Sequence, residues 1–390
     1  MNRPILPGSV LGVLGGGQLG RMFTLAARRM GYRIVVLAPE DDTPAGQIAY
    51  REIRAPYDDL DAVERFAADV DVVTFEFENV PAATIDAAAR HAPVRPAGSV
   101  LATTQDRAVE KHALALRGIP VVTHAVVESA TDLDAALRKV GTEGVLKTSA
   151  WGYDGHGQRR VGAERDLAAA FDELGRVPCV FERFVPFACE ISVVGVRGVD
   201  GEVALYEPFL NHHADHVLDV SICPAPLATR VRDDALAIAR RVLEELDVVG
   251  VLCVEFFLLE DGGLLVNELA PRPHNSGHAT IDAHHVCQFE QQVRAVCGLP
   301  LGSTRRKVPA AAMANLLGDL WSDGEPDWAA LLADPDAKLH LYGKVDARPG
   351  RKMGHVTIAA DDPAQAERRV RSARAALVRR TAAATRNGDR

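Results

Sequence analysis

Apolar positions along the first hundred residues switch between two spacings. Short unbroken runs, "SVLGVLG" (9–15), "RIVVLA" (33–38) and "VDVVTFEF" (70–77), read as buried strands. Between the first two, Leu19, Met22, Phe23, Ala26 and Met30 recur at helical spacing, which predicts a helix from Gln18 to Met30 ended by Gly31. "DDLDAVERFAADV" predicts a second helix, and Pro81 opens a third that runs toward Arg90. Such alternation predicts a small parallel, doubly wound sheet over residues 1 to about 95.

The pattern then changes. "TQDRAVEKHALALRGIP" reads as one helix ending at Gly118. It is followed by "VVTHAVVE", the helix "TDLDAALRKV", the strand "GVLKTS", the glycine-rich "AWGYDGHGQ", a helix near Asp166 to Leu174, and "CVFERFV". That is a compact α+β lobe. From Cys189 the strands lengthen and pair as hairpins: "CEISVVGVRG" turns at "VDGE" into "VALYEPF". A long helix, Thr229 to Leu246, precedes the hairpin "GVLCVEFFLLEDGGLLVNELAPRP". A helix around Gln291, strands near "KLHLYGK" and "KMGHVTIAA", a helix after Pro363 and a solvated tail complete the chain. The expected segments are 1–98, 99–186, 187–310, 311–376 and the tail 377–390.

Composition narrows the class of protein. With 390 residues, 47% of them hydrophobic and 25% charged, the chain has the make-up of a globular protein of two or three domains. A net charge of −9 argues against a nucleic-acid partner. Six cysteines without a CxxC pair read as buried thiols in a reducing compartment. No window reads as a membrane span, and the first strand comes too early for a signal peptide, so a cytoplasmic protein is expected.

Four stretches carry candidate chemistry. Gly15 to Gly20, "GGGQLG", fits the dinucleotide rule G-x-G-x-x-G, a weak signal because any tight strand-to-helix turn recruits glycines. Closing the second hairpin on a two-residue turn at Asp261-Gly262 pairs Leu259 with Leu264, Phe257 with Val266 and Glu255 with Glu268. Opposed carboxylates repel, and a hard divalent cation between them reverses that sign; the alternative is an edge strand with two solvated glutamates. "AWGYDGHGQ" follows Lys147 and departs from the Walker A pattern, but its N–H groups suit phosphates, with the lysine as a point charge. "NELAPRPHNSGHAT" gathers Asn267, Glu268, Arg272, His274, Asn275, Ser276 and His278 after a buried strand, a set suited to anionic substrates. Zinc is disfavoured there, since Pro273 and Gly277 oppose a helix and no third ligand has fitting spacing.

Taken in order, Lys147, the glycine-rich stretch, Glu182, Glu190, Glu255 and "NELAPRPHNSGH" resemble the ATP-grasp superfamily and, within it, the N5-carboxyaminoimidazole ribonucleotide synthetases of purine biosynthesis. The resemblance runs from "LGGGQLGRM" to "YGK…GRKMGH". It implies an ATP-grasp fold behind an N-terminal doubly wound domain, with a small β-rich C-terminal domain. It implies ATP-dependent carboxylation of aminoimidazole ribonucleotide through carboxyphosphate, Mg²⁺ (or Mn²⁺) as cofactor, a homodimer, and no NAD on the glycine turn. Carried over by position, ATP contacts are Arg107, Lys147, Gly152, Tyr153, Asp154, Gly155, His156, Gly157, Gln158, Glu182, Arg183, Phe184, Val185, Glu190, His213, Asn267 and Glu268. The metal ligands are Glu255 and Glu268. The ribonucleotide pocket draws on Glu76, Tyr153, Asp154, Lys344 and Arg351, with Arg272, His274 and Asn275 near bicarbonate. Arg272, His274 and Lys344 are the implied catalytic residues. Two positions depart from the pattern: His156 stands where Arg or Lys is usual, and His216 where glycine is usual. The competing readings are another ATP-grasp ligase, formate-dependent or biotin-linked, and a nicotinamide-binding protein.

Overall fold

A computed structural model of the chain describes residues 3–150, 157–162 and 166–378. The first segment holds β1 (Val10–Leu14), α1 (Gln18–Arg29), β2 (Arg33–Ala38), β3 (Arg51–Arg54), α2 (Leu60–Ala68), β4 (Val72–Phe75) and α3 (Ala82–Ala89). Its sheet is parallel with order β3-β2-β1-β4, the expected doubly wound arrangement. The apolar stripe of α1 (Leu19, Met22, Phe23, Ala26) lies on one face of the sheet, and α2 and α3 cover the other with Val63, Phe66, Ile85 and Ala88. Asp59 caps α2 by accepting from the Ala62 N–H at 3.0 Å. β3 escaped the sequence reading: "REIR" has no apolar run, and only its place at the sheet edge makes it a strand.

The helix expected from Thr104 to Gly118 begins at Arg107, and a separate helix precedes it. α4 (Gly98–Gln105) ends at Asp106, whose extended backbone (φ −113°, ψ 117°) starts α5 (Arg107–Leu116) afresh. β5 (His124–Val127), α6 (Leu133–Val140), β6 (Gly144–Thr148), β7 (Gln158–Val161), α7 (Leu167–Glu173) and β8 (Cys179–Arg183) follow, and the strands form an antiparallel sheet of order β5-β8-β6-β7.

The rest is built on one large antiparallel sheet. Its strands are β9 (Cys189–Arg197), β10 (Val203–Leu205), β11 (Phe209–Ala214), β12 (Val217–Cys223), β13 (Gly250–Leu258), β14 (Leu264–Ala270), β15 (Ala310–Leu317), β16 (Lys338–Leu341) and β17 (Lys352–Ala360). The helices are α8 (Thr229–Glu245), α9 (Thr280–Ala283), α10 (Gln288–Cys297), α11 (Trp328–Leu332) and α12 (Pro363–Ala375). The sheet order is β14-β13-β9-β11-β12-β15-β17-β16, with β10 added on β9. The C-terminal strands therefore continue the central sheet through β12 and β15. Of these, β11, β12 and β15 were not foreseen. "NHHA" is polar, and the alanine-rich "AAAMANLL" lacks the β-branched residues that mark a strand.

Candidate active site

The glycine turn after β1 holds a carboxylate of the chain itself. Glu76, just past β4, accepts the Gly20 N–H at 2.7 Å and also the Gly17 N–H, at the N-terminus of α1. Any Cβ on Gly15 or Gly17 would collide with Glu76, so the glycines serve this close approach. Burial pushes the Glu76 carboxyl up, against the two N–H groups. A dinucleotide pyrophosphate would need the place that Glu76 fills.

A second buried carboxylate, Glu182 at the end of β8, collects three cations. Lys147 on β6 donates to it at 2.7 Å, Lys111 lies 3.7 Å away and Arg107 4.0 Å. Burial alone would raise Glu182, but the three charges outweigh it and hold the carboxyl well below its usual range. Lys111 was not foreseen. It is 0% exposed and donates to the carbonyls of Val266 at 3.1 Å and Asn267 at 2.6 Å. Arg107 also reaches Glu268 at 3.0 Å, joining Glu182 to the β13–β14 hairpin. Arg183 turns away and donates to the Val140 carbonyl at 2.9 Å, the Phe184 ring lies under the Arg160 guanidinium, and Val185 sits on the irregular link to β9. Gly157 accepts the Thr148 N–H at 2.8 Å through its carbonyl, and Gln158 opens β7. Gly152, Tyr153, Asp154, Gly155 and His156 lie outside the described residues.

Glu255 and Glu268 face each other across β13 and β14. The turn differs from the expected one. Gly262 (φ +84°) donates to the Leu259 carbonyl, leaving a three-residue connection, so Phe256 rather than Phe257 pairs with Val266. A bulge at Asn267 then restores the Glu255–Glu268 pairing. Burial first, then the Glu268 charge, pushes the Glu255 carboxyl up to about 8. His274 approaches Glu255 at 3.1 Å. His213 lies 2.5 Å from Glu190; burial disfavours its charge, yet Glu190 raises it above the usual imidazole value. Asn267 Oδ1 is buried without a hydrogen-bond partner among the described residues. Two carboxylates and a spare amide oxygen fit a hard cation that completes its shell with phosphate and water oxygens. Among the described residues no three Asp, Glu, His or Cys side chains converge on one point, so the protein alone offers no closed cage.

Beyond the hairpin, Arg272 makes a two-pronged ion pair with Glu78, which lies 194 positions earlier, one prong being 2.9 Å. Glu78 was not foreseen either, although it lies two residues past Glu76. Asn275 buries both polar side-chain atoms without a hydrogen-bond partner among the described residues. A cavity of about 900 Å³ opens nearby, lined by Gln18, Asn315, Lys344, Arg348, Arg351 and Lys352 among others. Lys344 donates to the Lys352 carbonyl at 2.8 Å. Burial, then the neighbouring Arg351, lowers the Lys344 ammonium to about 8. The structure thus gathers Lys344 and Arg351 at one mouth, with the Glu76 charge felt by Lys344.

Comparison with known proteins matches this layout along its length. The family model of the ribonucleotide synthetase preATP-grasp domain covers residues 9–105, that of the ATP-grasp domain 112–289, and that of the phosphoribosylaminoimidazole carboxylase C-terminal domain 311–369. The N5-carboxyaminoimidazole ribonucleotide synthase of Brucella melitensis is 46% identical over 353 residues, 90% of this chain and 96% of its own. The chain belongs to the N5-carboxyaminoimidazole ribonucleotide synthase family. It is an ATP-dependent ligase, with ATP as co-substrate. An ADP complex of an N5-carboxyaminoimidazole ribonucleotide synthetase superposes with a TM-score of 0.90 at 41% identity, covering 96% of this chain and 98% of that one. The Aspergillus clavatus synthase, solved with ADP and 5-aminoimidazole ribonucleotide, gives a TM-score of 0.82 at 29% identity, covering 95% and 98%.

Within this family pattern His216 gains a physical account. It occupies the left-handed region (φ +67°) in the turn between β11 and β12, next to Asp215 (φ +48°), where glycine adopts the backbone without strain. Its Nδ1 lies 3.4 Å from Gln158 Nε2, at the stem of the glycine-rich stretch. No helix among the described residues is long and apolar enough to cross a membrane.

Proposed function

We propose that this synthase carboxylates the exocyclic amine of 5-aminoimidazole ribonucleotide with bicarbonate, at a site built from the residues above. Bicarbonate oxygen attacks the γ-phosphorus and ADP leaves; the amine nitrogen then bonds the carboxyl carbon, and phosphate and a proton are released. Glu255 and Glu268 would hold Mg²⁺ (or Mn²⁺), which when bound neutralises charge on the phosphoryl oxygens. Lys147 and Arg107 add fixed positive charge beside the nucleotide, where Glu182 orients both. Arg272, its plane set by Glu78, presents its remaining N–H groups to bicarbonate and carboxyphosphate. Lys344 and Arg351 receive the 5′-phosphate of the ribonucleotide. The observation that supports this reading is that Arg272 is within charge–charge reach of Glu268 in the opposed pair and of Glu76, which also feels Lys344 at the cavity.

The test is ADP release with Mg·ATP, omitting bicarbonate and aminoimidazole ribonucleotide in turn. Full rate requires both, and formate does not replace bicarbonate. Turnover with formate and none with bicarbonate would assign the chain to a transformylase instead. A homodimer in the cytoplasm belongs to the same proposal, and light scattering on the purified protein tests the dimer.

A further inference from the structure

The loop that carries His274 and Asn275 has little regular bonding of its own. His274 is extended (φ −117°, ψ 152°), and a single three-residue turn, Asn275–Gly277, follows it. Its support comes from α10. Gln288, the first residue of that helix, is 0% exposed. Its Oε1 accepts the His274 N–H at 2.8 Å, and its Nε2 donates to the His274 carbonyl at 2.7 Å. One side-chain amide thus engages both main-chain groups of one residue, as a neighbouring strand would. The same Nε2 lies 3.3 Å from His278 Nδ1. The Gln288 N–H donates to Thr280 Oγ1 at 3.1 Å, and that hydroxyl donates to the Gly277 carbonyl at 2.6 Å. Gly277 is pressed so closely that a Cβ there would lie 2.6 Å from Gln288 Oε1.

The clamp reaches the chemistry through His274. With its main chain held, the imidazole spans from Glu255 at 3.1 Å to Ser276 Oγ at 2.9 Å. Ser276 in turn accepts from Ser192 at 2.7 Å, which ties the loop to β9. The next residue is Asn275, whose unpartnered amide (among the described residues) is aimed by the same backbone. Two further buried glutamines on α10 act elsewhere. Gln291 brackets Gly302 through its N–H at 2.9 Å and its carbonyl at 2.7 Å, and Gln292 links the Val251 N–H to Thr74. They bind scaffold, whereas Gln288 binds the loop of the site.

We infer that Gln288 is a positioning residue for the carboxylation step, fixing His274 and Asn275 through the main chain without touching substrate; the inference rests on the function proposed above. Removing the amide leaves the nucleotide residues in place and loosens the bicarbonate side. The expected signature is a split between chemistry and nucleotide binding, with leakage of the activated intermediate to water.

The experiment compares Gln288→Met with Gln291→Met, a control that loses a comparable buried clamp on scaffold. For Gln288→Met, kcat for carboxylation should fall by about 10²-fold with the KM for Mg·ATP within about twofold of wild type. ADP released per carboxylated product should rise above the wild-type ratio. Gln291→Met should lose melting temperature while keeping kcat and that ratio. Should Gln288→Met not fold, Gln288→Asn, one methylene short of His274, gives the same readout. Coupled turnover at the wild-type rate in the Gln288 variants, or equal uncoupling in Gln291→Met, overturns the inference. If wild type itself carboxylates nothing, the proposed function fails separately. Amide hydrogen exchange across residues 272–279, expected to be faster in Gln288→Met and unchanged in Gln291→Met, then tests the clamp, and unchanged exchange in Gln288→Met overturns it.

Discussion

Glu255 and Glu268 face each other at a cost to the fold, and in the proposed reaction the same pairing would hold the cation. Their pairing is repulsive in the metal-free protein, which is why burial and Glu268 together raise the Glu255 carboxyl to about 8. Glu268→Gln removes that repulsion together with the 3.0 Å attraction to the mostly buried Arg107, and the two losses oppose each other. The metal-free variant should therefore melt at an unchanged or slightly higher temperature, while turnover falls by ~10²–10³ for the lost electrostatic stabilisation. Near-normal turnover would remove Glu268 from the ligand set. Lys344 offers a pH test. Burial and Arg351 let it lose its proton near pH 8, so ribonucleotide KM should climb as pH passes that value while the KM for ATP stays level. Lys344→Arg, charged throughout, should flatten the profile. The stability effect has the same cause: between about 8 and the ordinary lysine value the unfolded chain binds the extra proton, so this group favours folding more as pH rises through that window.

At the scale of elements, a cap decides where the helix that carries two of the cations around Glu182 begins. Asp106 interrupts what reads as one helix, and its Oδ1 accepts from the N–H groups of Ala108 at 2.8 Å and Val109 at 3.0 Å and from Ser149 Oγ at 2.6 Å. The new helix starts with Arg107 and carries Lys111 one turn later, so both cations reach Glu182 from one face. Asp106→Ala should cost roughly 1–2 kcal/mol in denaturant unfolding. Because the cap also sets the direction of Arg107, the KM for ATP should rise, and a stability loss with unchanged KM would limit Asp106 to capping. The hairpin teaches a similar lesson. The turn is one residue longer than Asp261-Gly262 predicts, yet the bulge at Asn267, whose carbonyl Lys111 holds, returns Glu268 to its partner.

For the whole molecule, the continuous sheet means that the C-terminal segment is no appendage. β15 pairs with β12 from Ala311 to Ala314, and Ala312, Ala314, Leu316, Val356 and Ile358 share a core with Val220 and Ile222. The segment also touches the N-terminal sheet region, where Gln47 donates to the Gly343 carbonyl at 3.0 Å. A fragment of residues 1–310 would expose the β12 edge and leave Val220 and Ile222 without most of the core that covers them. It should aggregate or melt without cooperativity; a soluble fragment with the melting temperature of the full chain would contradict this.

Local pattern was enough for much of this protein. The stripe of α1, the long α8 and the parallel N-terminal alternation are legible because periodicity acts within a few residues. The opposed glutamates, by contrast, follow from a two-residue turn that the structure lacks and are paired only through the compensating bulge at Asn267. The order of Lys147, Glu182, Glu190, Glu255 and "NELAPRPHNSGH" carried the family by resemblance. What local pattern does not mark are β3 and β11, which are largely polar, and β15, which is alanine-rich without β-branched residues. They exist because a sheet edge elsewhere in the chain accepts them, whereas β12, with Leu218, Val220 and Ile222 alternating, does carry a strand signature. Nor could local pattern supply Glu78, Lys111 and Gln288. Each is a buried polar residue whose partner lies far along the chain or in another element: Arg272 for Glu78, the Asn267 carbonyl for Lys111, the His274 main chain for Gln288. Burying such a group demands a partner, but which partner it finds is decided by the segments that tertiary packing brings together.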